Sequence, residues 1–150
     1  VIRDFAPDKP KHGYVFSTGS SSTVNLVNCI PRLEAAGVNV KIIATISEEL
    51  FDRQSAEYRE SVLPAAAHYD MMIVSTGTRR VWPIKDVGPL TDEYSLSSDW
   101  DNQWLTGGSE SDVIAEAHLD EESIFNGIKR FADERPSRHE RQRAAVETLG

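Results

Sequence analysis

The chain has one cysteine, Cys29, among 150 residues. An internal disulfide is therefore excluded, a second thiolate for a zinc site is missing, and the composition fits a reducing cytoplasm. No apolar run approaches the ~20 residues that a bilayer helix needs. The N-terminus Val1-Ile2-Arg3-Asp4 lacks a basic-then-apolar leader pattern, so no membrane partner is expected. Positive charge is scarce. Lys and Arg number 16 against 24 Asp and Glu, and the net charge of −8 repels phosphate backbones, so nucleic acid is not expected as a partner. Low-complexity tracts and internal repeats are absent. What is present is 39% apolar and 27% charged residues, the balance of an ordinary globular chain long enough for one domain. The chain opens on Val1 rather than methionine, and a piece of a longer polypeptide is expected.

Residues 1–13 mix Pro7, Pro10 and Gly13 with charged residues and read as an N-terminal linker. Tyr14 to Ser17 is a short run of strand formers closed by the turn Thr18-Gly19-Ser20-Ser21-Ser22. Beyond Ser22, the residues Val24, Val27, Ile30 and Leu33, with Leu26 and Cys29 beside them, recur at helical spacing up to Gly37, placed as a helix C′ residue. Pro31 inside that run predicts a kink near Val27 or Asn28, or a helix in two pieces. Val38 to Thr45 is apolar on nearly every residue past its start, as a strand covered on both faces should be. Ser47 caps a helix over Glu48 to Gln54, Ser55 caps the turns to Val62, and Pro64 stops them. Tyr69 to Val74 is a third strand, ending in Ser75-Thr76-Gly77-Thr78.

Strand, helix, strand, repeated, predicts an α/β fold: an open, mainly parallel sheet with helices on both faces. Residues 79–105, with Trp82, Trp100 and Trp104, resist a periodicity and read as a long loop, with an extra strand near Trp104-Leu105. Ser109 to Asp112 opens a helix that runs to His118, and Asp120 caps another whose Ile124, Ile128 and Phe131 share one face. Pro136 ends that segment, and a frayed terminal helix is expected over 137–149. The division is a linker over 1–13, an α/β domain over 14–132 and a C-terminal helical tail over 133–150.

Groups that could react are sparse. His12, His68, His118 and His139 have no spacing that sets two on one helix face with a carboxylate, and they read as surface or packing residues. Cys29 lies on the apolar helical stripe and reads as core. The strongest local candidate is an anion site at Thr18, Gly19, Ser20, Ser21 and Ser22, where a strand end meets a helix N-terminus, with Thr76 and Gly77 facing the same crevice. The same residues also read as a tight turn and a helix cap. No Walker lysine follows and no G-x-G-x-x-G pattern is present. The three tryptophans, near Arg79, Arg80 and Lys85, read either as anchors of a protein interface or as cover for one edge of the domain's own sheet. The basic C-terminal residues Arg135, Arg138, Arg141 and Arg143 alternate with acids and read as a solvated helix face.

The segment from Glu49 to Pro64, Glu-Leu-Phe-Asp-Arg-Gln-Ser-Ala-Glu-Tyr-Arg-Glu-Ser-Val-Leu-Pro, resembles the corresponding segment of transketolases, in the C-terminal domain of that family. Tyr14 to Ser20 is similar to the family's strand and turn upstream of it, and Gly107-Gly108-Ser109 through Phe131 to its Gly-Ser turn and two helices. Arg79 to Ile84 stands where the family has an aromatic-glycine stretch. The resemblance implies the three-layer α/β/α fold of that domain. It implies a parent enzyme of carbohydrate metabolism and the pentose phosphate pathway that moves two-carbon ketol units between sugar phosphates, using thiamine diphosphate and Mg, as a cytoplasmic homodimer. It also implies that the cofactor motifs and catalytic histidines lie in the preceding thiamine-binding domains, which become this chain's expected partners. No catalytic, cofactor-binding or metal-ligating residue is therefore assigned here. The chain is expected to be the C-terminal domain, or a separately encoded small subunit, of such an enzyme, with structural support of the dimer as its role. The alternatives are a free-standing regulatory module that binds a small anionic metabolite, or a protein-interaction domain.

Overall fold

A computed structural model describes residues 1–82 and 88–149. Pro83 and Ile84 of the aromatic-glycine replacement, and Lys85 beside the tryptophans, lie outside the described residues. Among the described residues four parallel strands form one sheet in the order β2-β1-β3-β4, with β1 over Tyr14–Thr18, β2 over Lys41–Ala44, β3 over Met71–Ser75 and β4 over Leu96–Ser97. Tyr14 pairs with both Lys41 and Met71 in register, so the three longer strands start together. The predicted open parallel sheet with helices on both faces is what the chain forms.

One face is the deeper. Val15, Ile42, Met72 and Val74 project from the sheet against α1 (Ser20–Ala35) and α6 (Glu121–Asp133), burying Leu26, Cys29, Leu33, Ile124, Ile128 and Phe131. The buried residues of α1 are Ser22, Leu26, Cys29 and Leu33, a single stripe at helical spacing. Cys29 is core, and its Sγ donates to the Glu121 carbonyl at 3.0 Å. The helix closes at Gly37, φ +74°, where Val38 N donates to Leu33 O at 2.8 Å and Gly37 N to Glu34 O at 3.0 Å, the paired bonds of a Schellman cap.

The opposite face is thinner. Phe16, Ile43, Met71 and Ile73 meet Val62, with Phe51, Leu63 and Trp82 packed alongside. Its cover comes from two short helices, α2 (Glu48–Asp52) and α3 (Ala56–Val62). Ser47 and Ser55 cap them as expected, accepting from Leu50 N and Tyr58 N.

Several expectations are corrected. Pro31 does not divide α1 into two pieces, and the helix runs unbroken through it. Pro31 lies on the exposed side of a single helix, where the Val27 carbonyl it leaves unpaired can turn to water. Residues 104–105 are not a strand. The fourth strand is Leu96–Ser97, which follows α4 (Pro89–Tyr94) directly. Ser95 between them accepts from Ile73 N at 2.8 Å, so a side chain satisfies a donor of β3 that a longer strand would have taken. The second strand is Lys41–Ala44 rather than 38–45. Asn39 ahead of it is buried, and its side chain accepts from Ala6 N and donates to the carbonyls of Ala6 and Lys9. Residues 1–13 thereby run along the outer side of β2, with Arg3 bridged antiparallel to Ile42. At the other end, α5 (Glu110–Glu116) begins on a Ser109–Asp112 capping box, and α7 (Arg135–Glu147) carries Pro136 in its first turn. Arg138 of α7 is 1% exposed, so this helix has a buried anchor and not a purely solvated face.

Candidate functional site

In the order β2-β1-β3-β4 the connection from β1 leads to one side and the next strand lies on the other, so the chain reverses between β1 and β3. The carboxyl ends of those two strands are where open α/β sheets collect ligands. Thr18 closes β1, Gly19 is the N-cap of α1, and Ser20, Ser21 and Ser22 form its first turn, while Thr76 and Gly77 follow β3. The two turns touch. Thr76 N donates to Thr18 O at 3.3 Å, and a Cβ on Gly19 would stand 1.8 Å from Thr76 Oγ1.

The hydroxyls at this crevice are largely turned to the backbone. Ser22 Oγ donates to Thr18 O at 2.8 Å, Thr23 Oγ1 to Gly19 O at 2.7 Å, and Ser17 Oγ lies 2.6 Å from Thr23 Oγ1. Gly77 N donates to Ser75 Oγ at 3.0 Å. Ser22 is buried, Ser21 half-buried and Ser20 exposed. No side chain caps α1, so Gly19 leaves its first amides without a side-chain acceptor. The residues of both turns are all Thr, Gly or Ser, without a carboxylate. A metal-bound diphosphate needs carboxylate ligands to its cation, so these turns do not fit the thiamine diphosphate–magnesium group, and no chemistry of that group is assigned to them. Among the described residues no three His, Cys, Asp or Glu side chains gather as metal ligands.

Two of the three tryptophans make contacts within the domain, although Trp100 is itself 42% exposed. Trp82 packs on the thinner face, and Trp100 stacks on His118 with ring centroids 4.2 Å apart while its Nε1 donates to Glu116 O at 3.2 Å. Trp104 is 97% exposed. Burial pushes the Cys29 thiol up to about 11, which disfavours the thiolate that a nucleophile needs.

A surface that periodicity does not single out lies beyond the carboxyl ends of β1 and β2 on the thinner face. It is an open groove of about 720 Å³ with Phe16, Ile43, Phe51, Tyr58 and Val62 among its walls. Ile46 and Leu50 stand at its rim, 94% and 61% exposed. Their spacing of four residues is the signal that was available, but exposed and buried apolar positions look alike in a sequence.

The family model for the transketolase-like TK C-terminal domain matches residues 1–87. The chain belongs to that family. Curated relatives include the transketolase of Streptococcus pyogenes serotype M6, 43% identical over 54 residues that span 36% of this chain and 7% of that protein. The chloroplastic transketolase of Zea mays is 44% identical over 52 residues, covering 35% of this chain and 8% of that protein. Among solved structures, the transketolase from Leishmania mexicana superposes with a TM-score of 0.62 at 19% identity, over 89% of this chain and 18% of that one. A Pichia stipitis transketolase in complex with sedoheptulose-7-phosphate gives 0.62 at 19%, over 86% and 17%. This transketolase-like domain thus spans less than a fifth of the length of these relatives. The structural likeness covers nearly the whole domain where the sequence identity covers about a third.

Proposed function

We propose that this domain is the C-terminal, noncatalytic support domain of a transketolase-type transferase. The parent moves two-carbon ketol units between sugar phosphates with thiamine diphosphate and Mg, in the cytoplasm and as a homodimer. This chain docks on the preceding thiamine-binding domains and helps the dimer form. The single observation that carries the docking role is the apolar groove with Ile46 and Leu50 at its rim, on a face whose own helices are too short to cover it. Exposed apolar surface gathered in one groove is the usual mark of an interaction site. Family membership supplies the enzyme context.

The test is ketol transfer from a ketose phosphate to an aldose phosphate by the purified chain, with thiamine diphosphate and Mg present. No turnover is expected, and turnover by the chain alone would overturn the support role.

A second reading, a small anion held at Thr18 to Ser22 with Thr76 and Gly77, is favoured by the uncapped N-terminus of α1 at the point of strand reversal. Phosphate titration with observation of the Gly19 to Ser22 amides tests it; unmoved amides remove it.

A further inference from the structure

At the opposite end of the sheet, the amino ends of the strands, a cleft of about 760 Å³ opens between the Pro10–His12 segment and α7. We propose that this cleft binds a small phosphate dianion, free or as a monoester. The acidic body of the protein makes the local charge conspicuous: against a net −8, the cleft gathers Lys11, Arg135 and Arg143 with the imidazoles of His12 and His139. Its acids are Asp133 and Glu140, and Asp133 is paired with Lys129. Arg143 and Lys11 form no ion pair among the described residues, and Lys11 rests over the Phe5 ring at 5.1 Å. Among the described residues Arg135 commits only Nε, to Asp70 Oδ2 at 2.7 Å, which leaves its two terminal nitrogens for a second acceptor. A guanidinium edge of that kind matches two phosphate oxygens.

Both walls are held. Arg138 ties α7 to Asp70, and Gln142 of the same helix donates to the Tyr69 carbonyl. On the other wall His12 N donates to Asn39 O at 2.8 Å, and Asn39 N donates back to His12 Nδ1 at 3.0 Å. Because Nδ1 accepts, the neutral His12 ring carries its proton on Nε2, where it forms no bond among the described residues. Burial, then the Arg135 charge, lowers the His12 pKa, with Asp133 and Asp70 opposing. A dianion between His12 and Arg135 reverses that balance and draws a proton onto the ring. His139 Nε2 is 3.4 Å from Asp70 Oδ1 and sits beside the same space. The cleft is larger than a phosphate ion, so a monoester has room for its organic part. Nucleic acid is disfavoured by the net charge.

The experiment titrates the chain with inorganic phosphate and, separately, with glycerol 2-phosphate at constant ionic strength, following the imidazole resonances of His12 and His139 across pH. The expected result is an upward shift of the His12 titration with either ligand. Tighter response to the ester assigns the cleft to monoesters, and equal response assigns it to free phosphate. Lys11→Gln and Arg143→Gln, whose side chains hold no hydrogen bond among the described residues, should each weaken binding about two- to five-fold with backbone spectra unchanged. An identical shift with chloride alone, or undiminished binding in the double variant, overturns the proposal. Movement confined to the Gly19 to Ser22 amides also overturns it and favours the other crevice.

Discussion

Arg138 Nη2 donates to Asp70 Oδ1 at 2.7 Å, joining two buried charges 68 residues apart in the chain. The Arg138 guanidinium also lies 3.7 Å from the Phe131 ring centroid, so one side chain fastens α7 to the residue just ahead of β3 and to α6 at once. Removing one partner of such a pair strands the other charge in the interior. Asp70→Ala should therefore cost about 3–5 kcal/mol in urea unfolding, and an Asp70→Ala/Arg138→Met pair should cost less than the sum of its single changes. The pH dependence has a definite sign. Burial pushes the Asp70 carboxyl up, but hydrogen bonds from Arg138 and Arg135 together with their charges outweigh it, and the net pKa lies below the ordinary carboxylate value. The pairing thus stabilises the fold fully above the unfolded pKa of about 3.9 and is lost as pH falls through the depressed folded value. Acid unfolding should show a component in that range that Asp70→Asn abolishes; an unchanged acid profile in the variant contradicts the assignment.

Gly19 makes a different kind of demand. Its φ of +91° with ψ of +146° is a backbone region open almost only to glycine, and its missing Cβ is the space that Thr76 Oγ1 fills. Gly19→Ala should destabilise by more than the ~1–3 kcal/mol of backbone strain alone, because the clash adds to it. Changing Thr76→Gly in the same chain should recover the clash and leave the strain. Equal unfolding midpoints for the single and double variants would show that the two turns do not press on each other.

The strands Tyr14–Thr18 and Met71–Ser75 were legible because each is a short apolar run closed by Ser, Thr and Gly, and α6 was legible because Ile124, Ile128 and Phe131 keep one phase. The strand Leu96–Ser97 was not, since two residues carry no period. Arg138 reads as solvated in the sequence because alternation of charge reports composition, and only the position of Asp70 reveals that one arginine faces inward. Asn39 hid for a related reason: a polar residue inside an apolar run looks like an interruption of a strand until its partners at Ala6 and Lys9 are placed. At the candidate site, the approach of Thr18–Ser22 to Thr76–Gly77 was legible only as two turns at strand carboxyl ends, and the strand order that brings them together is seen in the structure alone. The groove was not legible, because no spacing rule distinguishes an apolar residue left outside from one folded in.

The rim of that groove gives the sharpest test of docking. Leu50 is 61% exposed and Ile46 94%, so replacing them should change the urea midpoint of the isolated chain little, within the ~0.5 kcal/mol usual for surface positions. Leu50→Asp also places its carboxylate in the first turn of α2, beside Glu48 and Glu49, where the helix dipole tolerates acids. Docked against another domain, the same side chains are worth about 1.5–3 kcal/mol each, so an aspartate at either position should weaken association roughly ten-fold or more. The measurement is co-purification of the chain with the thiamine-binding portion of the proposed parent enzyme, wild type against Ile46→Asp and Leu50→Asp. Association that survives both changes in one chain, with the fold intact by circular dichroism, would place the docking surface elsewhere, with exposed Trp104 the next surface to probe.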